Sequence, residues 1–111
     1  MTIAAQDDAR QQVLAALILP SLTGLAEAQV RGVTCVWDGI ALTPETAVDL
    51  GPIRKRRLDG EYQWFPRGCK RCVADRAHTA LFLHARDCRT CWQGPTCPFS
   101  VAANRLIREG R

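Results

Sequence analysis

Five of the six cysteines lie after residue 68, in two clusters whose spacing is typical of metal ligands. Cys69 and Cys72 form one C-x2-C pair, Cys88 and Cys91 form a second, and Cys97 follows. Two thiolates separated by two residues can bind one tetrahedral ion, because the backbone between them turns back toward the sulfurs. Two such pairs in a short chain predict metal binding. We expect a cytoplasmic, reducing location, where metal ligation is favoured over the alternative of three secreted-type disulfides.

The second pair and Cys97 supply three thiolates, so a closed site needs a fourth ligand. His84 precedes Cys88 by four residues, and on a helix these two positions share a face. We therefore predict a self-contained site of His84, Cys88, Cys91 and Cys97, with three thiolates and one imidazole. The other histidine, His78, falls on a different helix face and is predicted to be exposed or packed.

A competing assignment uses both C-x2-C pairs for one zinc ion held by Cys69, Cys72, Cys88 and Cys91. This spacing also matches the general zinc-ribbon pattern. We prefer two zinc sites, because that arrangement gives Cys97 a role. The sequence leaves both assignments open.

The elements that would position these ligands begin at residue 35. Residues 35–39 have the form of a zinc knuckle, with Asp38 in place of the second cysteine. Residues 53–58 and 61–65 read as two strands joined at Asp59-Gly60, a strong hairpin signal, and Pro66 ends the second strand. A helix then opens around Cys69 to Cys72 and runs to about residue 86. Residues 42–51 are predicted to form a loop or a short helix.

The order of knuckle, hairpin and helix resembles a treble-clef zinc finger over residues 35–86. In that family the ligands come from the knuckle and the start of the helix. The resemblance implies Cys35, Cys69 and Cys72 as ligands here, with Asp38 at the fourth position. A carboxylate oxygen is an acceptable zinc ligand, although it is a harder donor than a thiolate.

The chain is also similar to small actinobacterial zinc-finger proteins of unassigned role. That resemblance covers residues 35–108 and rests on the C-V-W-x-G knuckle, the stretch Ala47–Leu50 and the C-terminal cysteines. It implies metal binding and leaves the activity open.

The run Cys-x2-Cys-x5-Cys from Cys88 to Cys97 resembles, in addition, the iron–sulfur region of WhiB-like transcriptional regulators. This alternative implies a cluster ligated by the C-terminal cysteines, with Cys35 or Cys72 upstream. The Gly- and Trp-containing turn of that family is absent, and Trp92 lies inside the cysteine run instead.

Charge is distributed unevenly along the chain. The formal net charge is +4, but residues 51–111 carry 13 basic and five acidic side chains. Arginine and lysine that neutralise phosphates favour nucleic-acid binding, which predicts a regulatory protein that contacts DNA or RNA. The candidate residues lie in the hairpin, at the C-x2-C pair and on the helix: Arg54, Lys55, Arg56, Arg57, Arg67, Lys70, Arg71 and Arg76. A solvated basic face is the simpler alternative.

We predict an α+β fold of 111 residues. A helical segment, residues 1–32, precedes a small zinc-stabilised treble-clef-like domain, residues 33–111, which ends in a helix from Pro98 or Ser100 to Glu109. The apolar positions of residues 4–19 predict a helix. Residues 4–30 could pack as core, self-associate or bind a protein partner, so a zinc-stabilised adaptor is an alternative function.

No catalytic constellation is visible, and no run reaches the roughly 20 apolar residues of a membrane span. We therefore expect a protein that is not an enzyme and does not enter the membrane.

Overall fold

The structure, a computed structural model, describes residues 2–57, 60–94 and 97–110. For residues 2–7, 22, 55–57, 61 and 62 it describes the backbone alone. The chain divides into two compact units, residues 1–18 with 70–111, and residues 19–69. The predicted domains, residues 1–32 and 33–111, stay a prediction.

The first unit is helical. It contains α1 (Thr2–Ala16), α3 (Lys70–Asp87), α4 (Arg89–Gln93) and α5 (Pro98–Glu109). Helices α1, α3 and α5 contact one another in pairs, because each turns an apolar stripe inward. Their buried side chains are Ala9, Val13, Cys72, Val73, Ala74, Ala77, Ala80, Ala103 and Leu106, and Leu17, just after α1, is buried as well.

Close packing continues to the end of this unit. A Cβ added at Gly110 would collide with the Cβ of Ala74. Glycine is therefore required where α5 ends against the start of α3. The predicted final helix and its glycine end are confirmed.

The second unit holds a short helix, two small sheets and the knuckle. A 3₁₀ turn (Leu22–Gly24) and α2 (Glu27–Val30) come first. Strands β2 (Ile53–Arg57) and β3 (Gly60–Trp64) form an antiparallel hairpin, with Ile53 opposite Trp64. The hairpin predicted from the sequence is thus present. Leu58 and Asp59 of the predicted turn lie outside the described residues.

The other sheet includes part of residues 42–51, which were predicted to form a loop or a short helix. Ala47–Asp49 forms strand β1, which pairs antiparallel with β4 (Arg67–Cys69), so that Ala47 lies opposite Cys69. The predicted loop or short helix is wrong for these three residues. The helix also begins later than its predicted opening, at Lys70, because the first cysteine of the pair still belongs to β4.

The α+β class is confirmed, with helices and two small antiparallel sheets. In chain order the knuckle, the β2–β3 hairpin and α3 follow one another as expected. The predicted apolar stripe of residues 4–19 is largely confirmed as well, since Val13 and Leu17 are buried. Ile18 departs from it and is 68% exposed, two residues beyond the end of the helix at Ala16.

Candidate metal centres

The C-terminal cluster consists of His84, Cys88, Cys91 and Cys97. His84 lies in the last turn of α3, and Cys91 lies within α4. Cys88 is the N-cap of α4, and Cys97 is the N-cap of α5. Both caps have extended backbone, so each cysteine stands at a corner where the chain turns from one segment into the next helix. One chain segment, residues 84–97, therefore brings four donor atoms together.

The donor atoms of the C-terminal cluster all lie within 4.8 Å of one another. Cys97 Sγ is 3.5 Å from His84 Nε2 and 3.8 Å from Cys88 Sγ. Cys97 is buried, while the other three side chains are half-buried. A disulfide needs about 2.0 Å between sulfurs, and all six cysteines are free thiols. The cluster is an arrangement that could hold a metal ion.

Two contacts orient the C-terminal cluster. The His84 ring stacks on Phe99, with centroids 4.0 Å apart and an angle of 11° between planes. Trp92 Nε1 donates a hydrogen bond of 2.7 Å to the Ala85 carbonyl, one of the last-turn carbonyls of α3 that have no partner within their own helix. Neither aromatic residue is among those predicted to form the site. Their signal was proximity to the cysteines, since Trp92 adjoins Cys91 and Phe99 lies two residues after Cys97.

Hydrogen bonds separate the acidities of two thiols in the C-terminal cluster. Burial raises the pKa of Cys97, but hydrogen bonds from the Ser100 backbone and from His84, Cys91 and Cys88 outweigh it and lower that pKa to about 6. For Cys91, the bond with the Ser100 hydroxyl lowers the pKa, yet burial and the neighbouring Cys97 and Cys88 raise it by more. Ser100 Oγ lies 2.9 Å from Cys91 Sγ. Thiolate is the form that binds metal, so Cys97 is ready for ligation near neutral pH.

The knuckle cluster consists of Cys35, Asp38, Cys69 and Cys72, whose donor atoms also lie within 4.8 Å of one another. Cys69 ends β4, and Cys72 follows in the first turn of α3. Cys69 Sγ is 3.6 Å from Asp38 Oδ2. The backbone N–H of Cys69 donates to Cys35 Sγ at 3.4 Å. The three cysteines are buried and the aspartate is exposed.

Local hydrogen bonds hold the knuckle in shape. The Gly39 N–H donates to the Cys35 carbonyl, and Gly39 has φ +76°, a conformation that favours glycine. Gln29 Nε2 donates to the carbonyls of Cys35 and Val36, each at 3.2 Å. Asp38 Oδ1 accepts from the Ile40 N–H, which leaves the other carboxylate oxygen directed at Cys69. Gln29 had no sequence signal beyond its position in a short helix.

The structure brings the predicted ligands together in two groups. Cys69 and Cys72 lie with the knuckle residues, and Cys88 and Cys91 lie with His84 and Cys97. This is the grouping of the two-site alternative; the four-thiolate assignment would have combined the two pairs. Cys35 and Cys72, the upstream residues of the WhiB-like alternative, belong to the knuckle cluster. His78 is exposed, as predicted.

The convergence of His84 and Cys88 has a different origin from the one predicted. Helix α3 ends at Asp87, and Cys88 already caps α4. A change of chain direction at residue 88, and not one continuous helix face, brings the two donors together.

The predicted nucleic-acid residues are solvent-facing where their side chains are described. Arg54, Arg67, Lys70 and Arg71 are exposed, and Arg76 is half-buried. Lys55, Arg56 and Arg57 form part of β2, but their side chains lie outside the description.

Comparison of the chain with protein-family models, with curated proteins and with solved structures gives no match. Within the described residues, no helix has both the length and the apolar character that crossing a bilayer requires.

Proposed function

We propose that this chain is a structural zinc-binding module of the treble-clef type, with one zinc ion in each cluster. His84, Cys88, Cys91 and Cys97 would hold one ion, and Cys35, Asp38, Cys69 and Cys72 the other. The order of knuckle, hairpin and helix supports the treble-clef assignment. The metal would fix the fold and would not take part in catalysis.

The observation that carries this proposal is the spacing of the donor atoms. An ion about 2.3 Å from sulfur and about 2.0 Å from nitrogen, at tetrahedral angles, requires about 3.8 Å between sulfurs and about 3.5 Å between sulfur and nitrogen. The distances from Cys97 Sγ to Cys88 Sγ and to His84 Nε2 are 3.8 Å and 3.5 Å. These two distances match the separations around a tetrahedral ion, and Cys91 Sγ lies within 4.8 Å of the same three donors.

The ligand set favours a structural role. Three thiolates and one imidazole can fill all four positions of zinc, whereas catalytic zinc keeps one position for water. Among the described residues, the buried side chains are mostly the short ones of alanine, valine and cysteine. Structural zinc contributes on the order of 10 kcal/mol in small finger peptides, enough to decide whether such a chain folds.

The test is the metal content of the reduced, full-length chain purified without added metal. Native mass spectrometry should show two zinc ions per chain. Replacement by Co²⁺ should give the absorption of tetrahedral thiolate ligation. A brown protein that contains iron and sulfide would support the iron–sulfur alternative in place of zinc. A chain purified without any metal would contradict the proposal.

Nucleic-acid binding is a second candidate function, favoured by the exposed cations of the segment Arg67–Arg71. Arg67, Lys70 and Arg71 are all exposed, and they flank two cysteines of the knuckle cluster. Each cation that neutralises a phosphate steepens the dependence of log affinity on log salt by about 0.7–0.9.

Glutamine at all three positions should therefore reduce the salt slope for DNA or RNA by roughly two to three. A matched variant replaces Arg86, Arg105 and Arg108, which are also exposed, and should leave the slope unchanged. Equal effects of both variants would mean general charge attraction, and no binding by the unmodified chain would remove this candidate.

A further inference from the structure

The C-terminal cluster contains two thiols whose sulfurs are already neighbours. Cys88 Sγ and Cys97 Sγ are 3.8 Å apart, which exceeds a disulfide bond by less than 2 Å. Both residues are N-caps with extended backbone, so their carbonyls accept the first hydrogen bond of α4 and α5, from the N–H groups of Trp92 and Val101, while their side chains lie ahead of the helices. A small shift at either corner could close the gap without unwinding a helix.

The third thiol of the C-terminal cluster also contacts the other two, but it has in addition a partner that is not a cysteine. Cys91 Sγ lies 2.9 Å from Ser100 Oγ, and Cys91 is inside α4, where the helical backbone limits its movement. The motif alone would pair Cys88 with Cys91, as C-x2-C disulfides do in redox proteins. The geometry favours Cys97 as the partner of Cys88.

We propose that the C-terminal cluster is a redox switch, in which a peroxide links Cys88 to Cys97 and expels the metal. This inference rests on the proposed zinc function for the metal that is released. One thiolate attacks a peroxide oxygen, the O–O bond breaks, and the products are a sulfenic acid and water after protonation. The second thiolate attacks that sulfur, the S–O bond breaks, and a second water leaves as the disulfide forms. The two sulfurs lose two electrons, the peroxide gains them, and two protons are consumed.

Loss of the metal follows from the chemistry of the ligands. A disulfide sulfur carries no negative charge and is a poor zinc ligand compared with a thiolate. After oxidation only His84 and Cys91 would remain as donors. Oxidation would therefore release the metal from the C-terminal cluster. A chemical reductant would cleave the disulfide and restore the thiolate ligands.

The experiment treats the metal-loaded, full-length chain with hydrogen peroxide and measures two quantities. A chromophoric chelator reports released metal, and mass spectrometry of the unreduced tryptic digest reports the linkage. Cleavage after Arg89 separates Cys88 from both other cysteines, so Cys88 linked to either of them joins residues 87–89 to residues 90–105. Fragmentation between Cys91 and Cys97 then identifies the partner.

We expect one disulfide between Cys88 and Cys97 for each metal ion lost from the C-terminal cluster. Cys91→Ser should keep this linkage and Cys97→Ser should abolish it. Ser100→Ala frees the Cys91 sulfur and should make a Cys88–Cys91 product appear beside the original one. A dominant linkage through Cys91 in the unmodified chain would overturn the inference, as would peroxide treatment that leaves the thiols reduced and the metal bound. Metal content measured before peroxide separates this failure from failure of the zinc proposal, because a chain empty at the outset contradicts the zinc sites themselves.

Discussion

His84 and Phe99 stack with their ring planes nearly parallel, 11° apart, at a centroid distance of 4.0 Å. The same imidazole has Nε2 at 3.5 Å from Cys97 Sγ. Phe99 lies in the first turn of α5, two residues after that cysteine. One helix start therefore supplies both a ligand candidate and the surface that orients the imidazole beside it.

Phe99→Leu should weaken metal binding at the C-terminal cluster by roughly 10-fold, because groups that orient a ligand typically contribute 10–100-fold to affinity. Leucine keeps apolar bulk but removes the flat stacking surface. Competition with a chromophoric chelator measures the change. Val101→Ala, at an exposed position of the same helix, is the matched control and should have no effect. Equal affinities for Phe99→Leu and the unmodified chain would show that the stacking does not orient the ligand.

His84→Ala should reduce the metal content from two ions to one, because it removes one of four donors from the C-terminal cluster. His84→Cys should keep both ions, since thiolate is an equivalent zinc ligand. His78→Ala changes the exposed histidine of the same helix and should also keep both. Native mass spectrometry of the three variants gives the counts. Two ions bound to His84→Ala would exclude this histidine as a necessary ligand.

Acid should weaken the binding of the metal by Cys97 only as the pH falls through about 6. The pKa of Cys97 is lowered to about 6, against about 8.5 for an ordinary thiol. A lowered pKa in the folded chain stabilises it fully above the unfolded value, and this contribution is lost as the pH falls through about 6. Bound metal competes with protons and moves release to still lower pH. Release of Co²⁺ can be monitored as the loss of its thiolate absorption. That signal should therefore show no step between pH 7 and pH 8.5.

Ser100→Ala should shift that release to higher pH. The Ser100 hydroxyl is the largest single influence on the pKa of Cys91 and lowers it, so its removal lets protons compete better for that sulfur. Thr90→Ala, at an exposed position beside Cys91, serves as the control. A shift to lower pH, or identical curves for all three proteins, would contradict the role given to Ser100.

Asp38→Cys should make the knuckle cluster more resistant to chelators, because a thiolate replaces a harder and more exposed oxygen donor. Asp38→Asn keeps the shape but removes the charge and should make the cluster less resistant. The rate of metal transfer to excess EDTA distinguishes the three proteins. If neither variant changes that rate, Asp38 is not a ligand.

The sequence predicted those parts of the fold in which local signals agree. Apolar spacing indicated α1, Pro98 and Gly110 marked the ends of α5, and the residues around Gly60 indicated the hairpin. The C-x2-C spacing likewise indicated metal ligands, because a tetrahedral site imposes its own spacing on the chain, but it left open whether the two pairs belong to one site or to two.

The sequence could not predict features that depend on distant partners. Strand β1 has three residues, Ala47–Asp49, too few to show alternation, and it exists because β4 pairs with it. The stacking of Phe99 on His84 and the bond between Ser100 and Cys91 depend on how α5 packs against α3 and α4. The predicted end of α3, at about residue 86, agrees with Asp87 within one residue, but no local signal showed that the turn at Cys88 would bring that thiol beside His84.

Thermal unfolding of the reduced, full-length chain, with and without its metal, shows whether bound metal maintains this fold. The metal-loaded chain should show a cooperative transition that is lost, or moves to much lower temperature, when a chelator removes the metal. Returning zinc should restore it. An unchanged cooperative transition at the same temperature in the metal-free, reduced chain would contradict the claim that bound metal maintains this fold.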